Sequence, residues 1–93
     1  MQQVSVTLDG IDYMISYKYV YKVPPNATDE DLYYIRMSRE IFFDVNDVCT
    51  LIGDDRLKGV FPHYISRNWI DEIIDFIGTE RAKAGLNLLR NVD

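Results

Sequence analysis

The sequence predicts an α+β domain in which an antiparallel sheet of about four strands, arranged as two hairpins, packs against C-terminal helices. The first part of the chain alternates apolar and polar residues with the period of two that is typical of strands, whereas the last part repeats apolar residues every three or four positions, as helices do. A chain of 93 residues has room for one domain, spanning residues 1–93. Its apolar content of 47% excludes a disordered chain.

The first element is a hairpin centred on Asp9-Gly10, a pair that favours a type I′ turn because both turn residues need positive φ. With this turn, facing residues have numbers that sum to nineteen, so Val6 faces Tyr13 and one face of the hairpin is apolar. The second strand continues beyond the end of the first, and its extension carries three tyrosines on the apolar face: Tyr17, Tyr19 and Tyr21.

Pro24-Pro25 ends the second strand because proline has no N–H to donate to a sheet. The segment Leu32–Val45 admits two structures. Thr28, followed by three acidic residues, is typical of a helix start, whereas the aromatic and β-branched residues of the segment favour strands. We favour a second hairpin that turns near residues 38–40. Its second strand would present one buried face, formed by Ile41, Phe43 and Val45.

Three helices are predicted after this hairpin. Asn46 is expected to cap a short helix that ends at Gly53, and residues 54–64 are expected to form a loop or an irregular helical turn. Ser66 or Asn68 should cap an amphipathic helix over Trp69–Ile77. The inward positions of that helix are Trp69 or Ile70, Ile73, Ile74 and Ile77.

The chain should then break at Gly78 and start its last helix at Thr79. The predicted inward residues of the last helix are Ala82, Leu86 and Leu89, and the outward ones are Arg81, Lys83 and Arg90. Gly85 weakens this prediction, since glycine in a helix interior costs about 1 kcal/mol relative to alanine.

The charge balance indicates the kind of partner. Fifteen acidic and ten basic residues give a net charge of −5, which opposes binding to nucleic-acid phosphates and to anionic membranes. We therefore expect a protein partner with a basic surface. The chain shows neither a secretory signal nor a run of about 20 apolar residues, so we expect a cytoplasmic protein without a membrane contact.

No residue pattern indicates an enzyme, a cofactor or a metal site. Residues 44–47 begin like a calcium loop, but Val48 and Cys49 stand where that loop needs an oxygen ligand and a glycine. Cys49 and His63 would form a nucleophile and base only if folding brought them together, and we favour a packed Cys49 instead. Gly53-Asp54-Asp55 resembles a polymerase metal-binding turn without the further carboxylates such a site needs.

Two groups of residues are candidates for partner binding. The tyrosines at 17, 19 and 21 could cover the core, stack bases or form a protein interface; we favour the core, and the interface is the leading functional alternative. Residues 40–55 contain five carboxylates and no basic residue, so Asp54 and Asp55 could contact a basic partner, although a solvated rim is the simpler interpretation. Nucleic-acid binding, the alternative function, would use the one basic cluster outside the last helix: Arg56, Lys58, His63 and Arg67.

The segment Glu40–Gly53 resembles the core of the BRO N-terminal domain of viral BRO proteins and phage antirepressors. That motif has an aromatic strand ending in Phe, then Asp-Val, then a short helix closing with Leu and Gly. The matching positions are Phe43, Asp47, Val48, Leu51 and Gly53. The resemblance implies an α+β module of viral or prophage origin that binds DNA or acts as an antirepressor.

This chain departs from that pattern in its additional N-terminal hairpin and its acidic charge. We therefore expect a small, acidic, non-enzymatic binding protein encoded by a phage or mobile element. It would inhibit or regulate a host protein, such as a nucleic-acid-binding or defence factor, by occupying its basic surface. The alternative is a DNA-binding transcriptional regulator or antirepressor similar to the BRO N-terminal domain.

Overall fold

The N-terminal hairpin has the predicted turn and register. The computed structural model describes residues 2–21, 25–31 and 39–92. Strands β1 (Gln2–Leu8) and β2 (Ile11–Val20) are antiparallel and pair Val6 with Tyr13. Asp9 has φ 53° and Gly10 has φ 79°, the positive values that a type I′ turn requires. The observed register and turn confirm the prediction. It succeeded because the turn residues and the alternation of apolar residues specify the same register.

Among the described residues, two further strands extend the hairpin to a four-stranded antiparallel sheet with the order β1-β2-β3-β4. Strand β3 (Glu40–Asp44) lies between β2 and β4 (Tyr64–Ser66), with Phe43 opposite Tyr17 on one side and Ile65 on the other. The predicted α+β class and strand number are therefore confirmed.

The middle of the chain corrects one expectation and agrees with the helix start at Thr28 that the sequence left as an alternative. Residues 64–66 were expected to end a loop and to cap a helix, but they form β4. They are extended because the edge of β3 provides hydrogen-bond partners. Three residues are too few to show the alternation of a strand. Residues 29–31 are helical, and Thr28 and Asp31 cap this turn reciprocally through bonds of 3.1 and 3.2 Å. The first strand of the predicted second hairpin falls on residues 32–38, which lie outside the described residues.

In the described part of the chain, three α-helices of eight to ten residues cover one face of the sheet. They are α1 (Val45–Ile52), α2 (Ile70–Ile77) and α3 (Glu80–Leu89), and short 3₁₀ turns occupy Arg56–Gly59 and Arg67–Trp69. One hydrophobic core joins the helices to the sheet, with Ile15 and Phe43 from the strands packed on Leu51, Ile73 and Leu86 from the helices. Within the described ranges, no helix is long and apolar enough to cross a membrane.

The cap of α1 differs from the prediction by two residues. The backbone N–H groups of Asn46 and Asp47 donate to Asp44 Oδ1 at 2.8 and 3.1 Å, so Asp44 caps the helix and Asn46 lies within it. Val45, expected at the end of a strand, is the first residue of α1 and is buried. An aspartate at the end of β3 serves both elements, because its extended backbone ends the strand while its side chain starts the helix.

The predicted ends of α1 and α2 and the predicted cap of α3 are confirmed, whereas the predicted cap of α2 is corrected. Gly53 and Gly78 take left-handed φ values of 67° and 74° after α1 and α2. The Thr79 hydroxyl accepts the Ala82 N–H at 3.1 Å at the start of α3, as predicted. The Ser66 hydroxyl accepts the Asn68 N–H at 3.1 Å, but it caps the 3₁₀ turn Arg67–Trp69, and α2 itself begins after Trp69 without a side-chain cap.

Gly85 allows α3 to pack closely against α1. A Cβ placed at Gly85 would lie 3.2 Å from Leu51 Cγ, so the position has little room for a side chain. The low helix propensity of glycine is therefore offset by the contact that Gly85 allows between the two helices. The predicted inward residues of α3 are all buried, namely Ala82, Leu86 and Leu89.

Candidate protein-binding surface

Four aromatic rings form a connected row at the surface. The Phe42 and Trp69 ring centroids are 5.9 Å apart, those of Trp69 and Phe61 are 6.2 Å apart, and those of Phe61 and Phe76 are 6.1 Å apart. We call Phe42, Trp69, Phe61 and Phe76 the aromatic row. Phe42, Trp69 and Phe61 are half-buried, Phe76 is 42% exposed, and Val60 next to Phe61 is 63% exposed.

Three separate segments contribute to the aromatic row. Phe42 lies on β3 on the sheet face opposite to buried Phe43, because side chains alternate along a strand. Trp69 comes just before α2, and Phe76 lies on α2 between the acidic face and buried Ile77. Phe61 lies in the connection between the first 3₁₀ turn and β4. Large, rigid aromatic side chains that remain partly exposed are typical of protein interfaces.

Carboxylates accompany the aromatic row on α2. Glu72 is exposed and precedes Phe76 by four residues, so the two side chains lie on the same helix face. Asp75 is also exposed and adjoins Phe76 in the chain. No lysine or arginine occurs in α2, and neither Glu72 nor Asp75 forms an ion pair with a described residue. The surface thus combines apolar contact area with uncompensated negative charge.

Arg56 lies beside Phe76, at one end of the aromatic row. Its guanidinium lies 6.0 Å from the Phe76 ring centroid, donates to Ile77 O at 2.8 Å and contacts Asp54 Oδ2 at 2.8 Å. The bond to Ile77 O satisfies a carbonyl at the C-terminus of α2, where a positive charge is favourable. Hydrogen bonds from the Arg56 side chain and backbone hold the pKa of Asp54 below its usual range, and Asp54 raises the pKa of Arg56.

The pairing of Arg56 with Asp54 bears on both sets of predicted binding residues. Arg56 was a candidate for phosphate and Asp54 a candidate for a basic partner, but each already compensates the charge of the other. Asp55 is exposed, with Lys58 Nζ 3.5 Å from its Oδ1. Of the carboxylates near the row, Glu72 and Asp75 carry the charge that a partner would meet.

The predicted basic cluster is divided among separate partners. His63 Nε2 lies 3.2 Å from Asp44 Oδ2, and Arg67 donates to the backbone carbonyl of Val92. Arg67 also lines an open cleft of about 320 Å³ with Asn68 and Arg90, but Arg90 pairs with Asp71. With Arg56 and Lys58 beside carboxylates as well, these residues do not form a continuous uncompensated basic strip in the described part of the chain.

The tyrosines of β2 lie at the margin of the core. Tyr17 and Tyr19 are half-buried, pack against the hydrophobic cluster and meet edge to face at 5.7 Å. The Arg39 guanidinium lies 4.2 Å from the Tyr19 ring centroid, whereas Tyr21 is 43% exposed. This placement agrees with the favoured interpretation that Tyr17 and Tyr19 cover the core, and it leaves Tyr21 as the most accessible of the three.

Cys49 and His63 are not arranged as a catalytic pair. Cys49 is 1% exposed within α1, where burial raises the pKa of its thiol, and no hydrogen bond joins it to His63 among the described residues. Across the same described ranges, no group of three or more His, Cys, Asp or Glu side chains is placed to hold a metal ion.

Cys49 should therefore be unreactive in the native protein. Because alkylation requires both exposure and a thiolate, we expect labelling by a thiol reagent at pH 7.5 to be at least about 100-fold slower in buffer than in denaturing urea. A Cys49→Ser/Thr50→Cys variant moves the thiol to the exposed neighbouring position and should label quickly. Rapid labelling of native Cys49, at the rate seen in urea, would contradict its burial.

The residues of the aromatic row were not identified from the sequence. Either Trp69 or Ile70 was predicted to face inward, and Ile70 is the residue that does so. Phe61 and Phe76 were not singled out from the sequence. One signal was available for Phe76, which stands outside the inward stripe of Ile70, Ile73 and Ile77 on α2. The contact of Phe42 with Trp69 across two elements has no local signature.

Comparison with known proteins identifies no relative: no protein-family model matches the chain, and neither a curated protein nor a solved structure is significantly similar to it. The similarity of residues 40–53 to the BRO N-terminal domain stays a prediction.

Proposed function

We propose that this chain is a non-enzymatic binding protein that docks on a basic surface of another protein through the aromatic row and the carboxylates of α2. The observation that carries the proposal is Phe76, an exposed aromatic side chain next to Asp75 and one helical turn after Glu72. A lysine or arginine of a partner could pair with Glu72 while its alkyl stem packs on the rings.

The distribution of charge supports a basic partner. Arg56, Lys58 and Arg90 lie beside carboxylates of the same chain, and the net charge is −5. Oppositely charged surfaces attract during diffusional encounter, so a basic protein would associate faster than an acidic one. Occupying a basic surface would block access to it, and we propose inhibition or regulation of that protein as the outcome. An origin in a phage or mobile element stays a prediction from the BRO resemblance.

The test is affinity capture from a lysate of the source organism with the tagged full chain. We expect the wild type to retain a basic protein in stoichiometric amount. Phe76→Ser and Glu72→Lys should each weaken the affinity for this partner by about 30-fold, the effect of losing a contact worth about 2 kcal/mol, and so reduce the amount retained.

Matched variants provide the controls. Met14→Ser removes a comparably exposed apolar side chain, 53% accessible, from β2 outside the aromatic row. Glu30→Lys makes the same charge change in the helical turn of residues 29–31, outside α2. Both should retain the partner. Equal losses in Phe76→Ser and Met14→Ser, or capture of an acidic protein, would contradict the proposal.

DNA binding through Arg56, Lys58, His63 and Arg67 is distinguished by a gel-shift assay. At low salt we expect no shift of a mixed DNA pool at micromolar protein, because a phosphate-binding surface needs several free cations. A shift that disappears in Lys58→Ala/Arg67→Ala would instead favour the DNA-binding alternative.

A further inference from the structure

Strand β1 lies at the edge of the sheet with one side unpaired. It bonds to β2 and to no other strand of the described chain. In a hairpin with a two-residue turn, the residues flanking the turn form a hydrogen-bonded pair, and such pairs alternate along the strand. Val4, Val6 and Leu8 therefore direct their backbone groups at β2. Gln3, Ser5 and Thr7 direct theirs outward, and no hydrogen bond to these outward groups occurs among the described residues.

This edge lacks the features that normally prevent strand pairing. Proteins protect exposed edges with lysine or other charges, proline, bulges or very short strands. Residues 2–8 are Gln, Gln, Val, Ser, Val, Thr and Leu, which include neither charge nor proline. All seven pair with β2 in continuous register, so the strand contains no bulge. An edge of this length and composition is suited to bonding with another strand.

The residue pattern of β1 is complementary to itself. In an antiparallel pair of two β1 strands centred on Ser5, Ser5 faces Ser5 and Gln3 faces Thr7, the residues with outward backbone groups. Each of these facing pairs would exchange two N–H···O=C bonds. On the core side, Val4 of one copy would face Val6 of the other. In the register centred on Ser5, the outward N–H and C=O groups of both strands are therefore hydrogen-bonded, and the valines of the two copies face each other.

The arrangement of charge is compatible with such a pair despite the net charge of −5. The nearest carboxylates of the hairpin, Asp9 and Asp12, lie at its turn end. Because the two strands run in opposite directions, the turn ends of the two copies lie at opposite ends of the shared ladder. Asp12 of one copy would approach the uncharged Gln3 end of the other, and no like charges would face each other across the strands.

We propose that β1 pairs with β1 of a second copy of this chain about a twofold axis at Ser5, joining the two sheets into one. A second copy fits this edge because its β1 offers an equally long row of outward backbone groups, and no charged side chain of either strand opposes the pairing. The flanking pairs are repeated by the twofold axis, as an isologous interface requires. The dimer does not depend on the aromatic row, which belongs to β3, α2 and the segment between them.

The test is the solution mass of the full chain, measured by sedimentation equilibrium. A protein concentration of about 100 μM is used because it populates dimers with dissociation constants in the micromolar range. The wild type should have twice the chain mass of 10.9 kDa. Ser5→Lys and Ser5→Glu each place like charges opposite each other and should weaken the dimer by at least about 30-fold. An equimolar mixture of the two variants should dimerise again, because the introduced ammonium group would then face the introduced carboxylate. Ser5→Thr should dimerise like the wild type.

Circular dichroism of each variant checks that the monomer remains folded, as expected for an exposed side chain. Ser5→Cys gives a second measurement, since mild oxidation should link two copies through this residue while buried Cys49 does not react. A monomeric wild type, dimers that persist in both charged variants, or a dimer lost in Phe76→Ser and retained in Ser5→Lys would overturn the proposal.

Discussion

Replacing Phe43 by alanine should lower the free energy of unfolding by about 3–5 kcal/mol, the usual cost of truncating a buried phenylalanine. A domain of this length has a total stability of about 5–14 kcal/mol, so the variant would lose about a fifth or more of it. Phe43 is 1% exposed and lies at the centre of the sheet between Tyr17 and Ile65. The cavity would adjoin both neighbouring strands and the helices above them.

Urea denaturation followed by far-UV circular dichroism measures this loss, and Phe42→Ala is the matched control. Phe42 is the same residue type at the adjacent position, half-buried on the other face, and its truncation should cost about 1–2 kcal/mol. A larger loss for Phe42→Ala than for Phe43→Ala would mean that the core lies on the other side of the sheet.

Replacing Asp44 by alanine should lower the stability by about 1–2 kcal/mol, as expected for loss of a helix cap. Its carboxylate accepts two backbone N–H groups at the start of α1, from Asn46 and Asp47, and no other described side chain accepts them. Asp44→Asn keeps the acceptor oxygen and should cost a few tenths of a kcal/mol.

Asn46→Ala distinguishes between two helix caps: Asp44, as in the structure, and Asn46, as predicted from the sequence. Asn46 is exposed within α1, and its replacement should change the stability by less than about 0.5 kcal/mol in the same urea titration. A loss at Asn46→Ala that exceeds the loss at Asp44→Ala would show that the helix begins at Asn46.

The sequence predicts the parts of the fold that are determined by neighbouring residues. The Asp9-Gly10 turn needs positive φ and brings alternating strands together, so its register follows from local chemistry. Gly53 and Thr79 act within one helical turn, and they were predicted for the same reason. Asp44 and Asn46 are both good capping residues two positions apart, and the end of β3 decides between them.

Features formed by distant segments could not be predicted in this way. Strand β4 has three residues, too few to show a period, and it forms because β3 provides an edge. The aromatic row joins Phe42 to Trp69 and Phe61 to Phe76, contacts that depend on how α2 and its preceding loop lie against the sheet. The composition gives the net charge of −5, but it does not show which charges are paired. The ion pair of Asp54 with Arg56 is known only from the structure.

Fluorescence of Trp69 tests the central claim that the aromatic row and the α2 carboxylates bind a basic protein. Trp69 is the only tryptophan of the chain and belongs to the row, so its emission reports contact there. Titration with the captured partner, made free of tryptophan if necessary, should change the emission of Trp69. The affinity should fall as salt is raised, and Glu72→Gln should reduce this dependence on salt. An unchanged emission at saturating partner, with wild-type affinity in Phe76→Ser, would show that the protein binds through another surface.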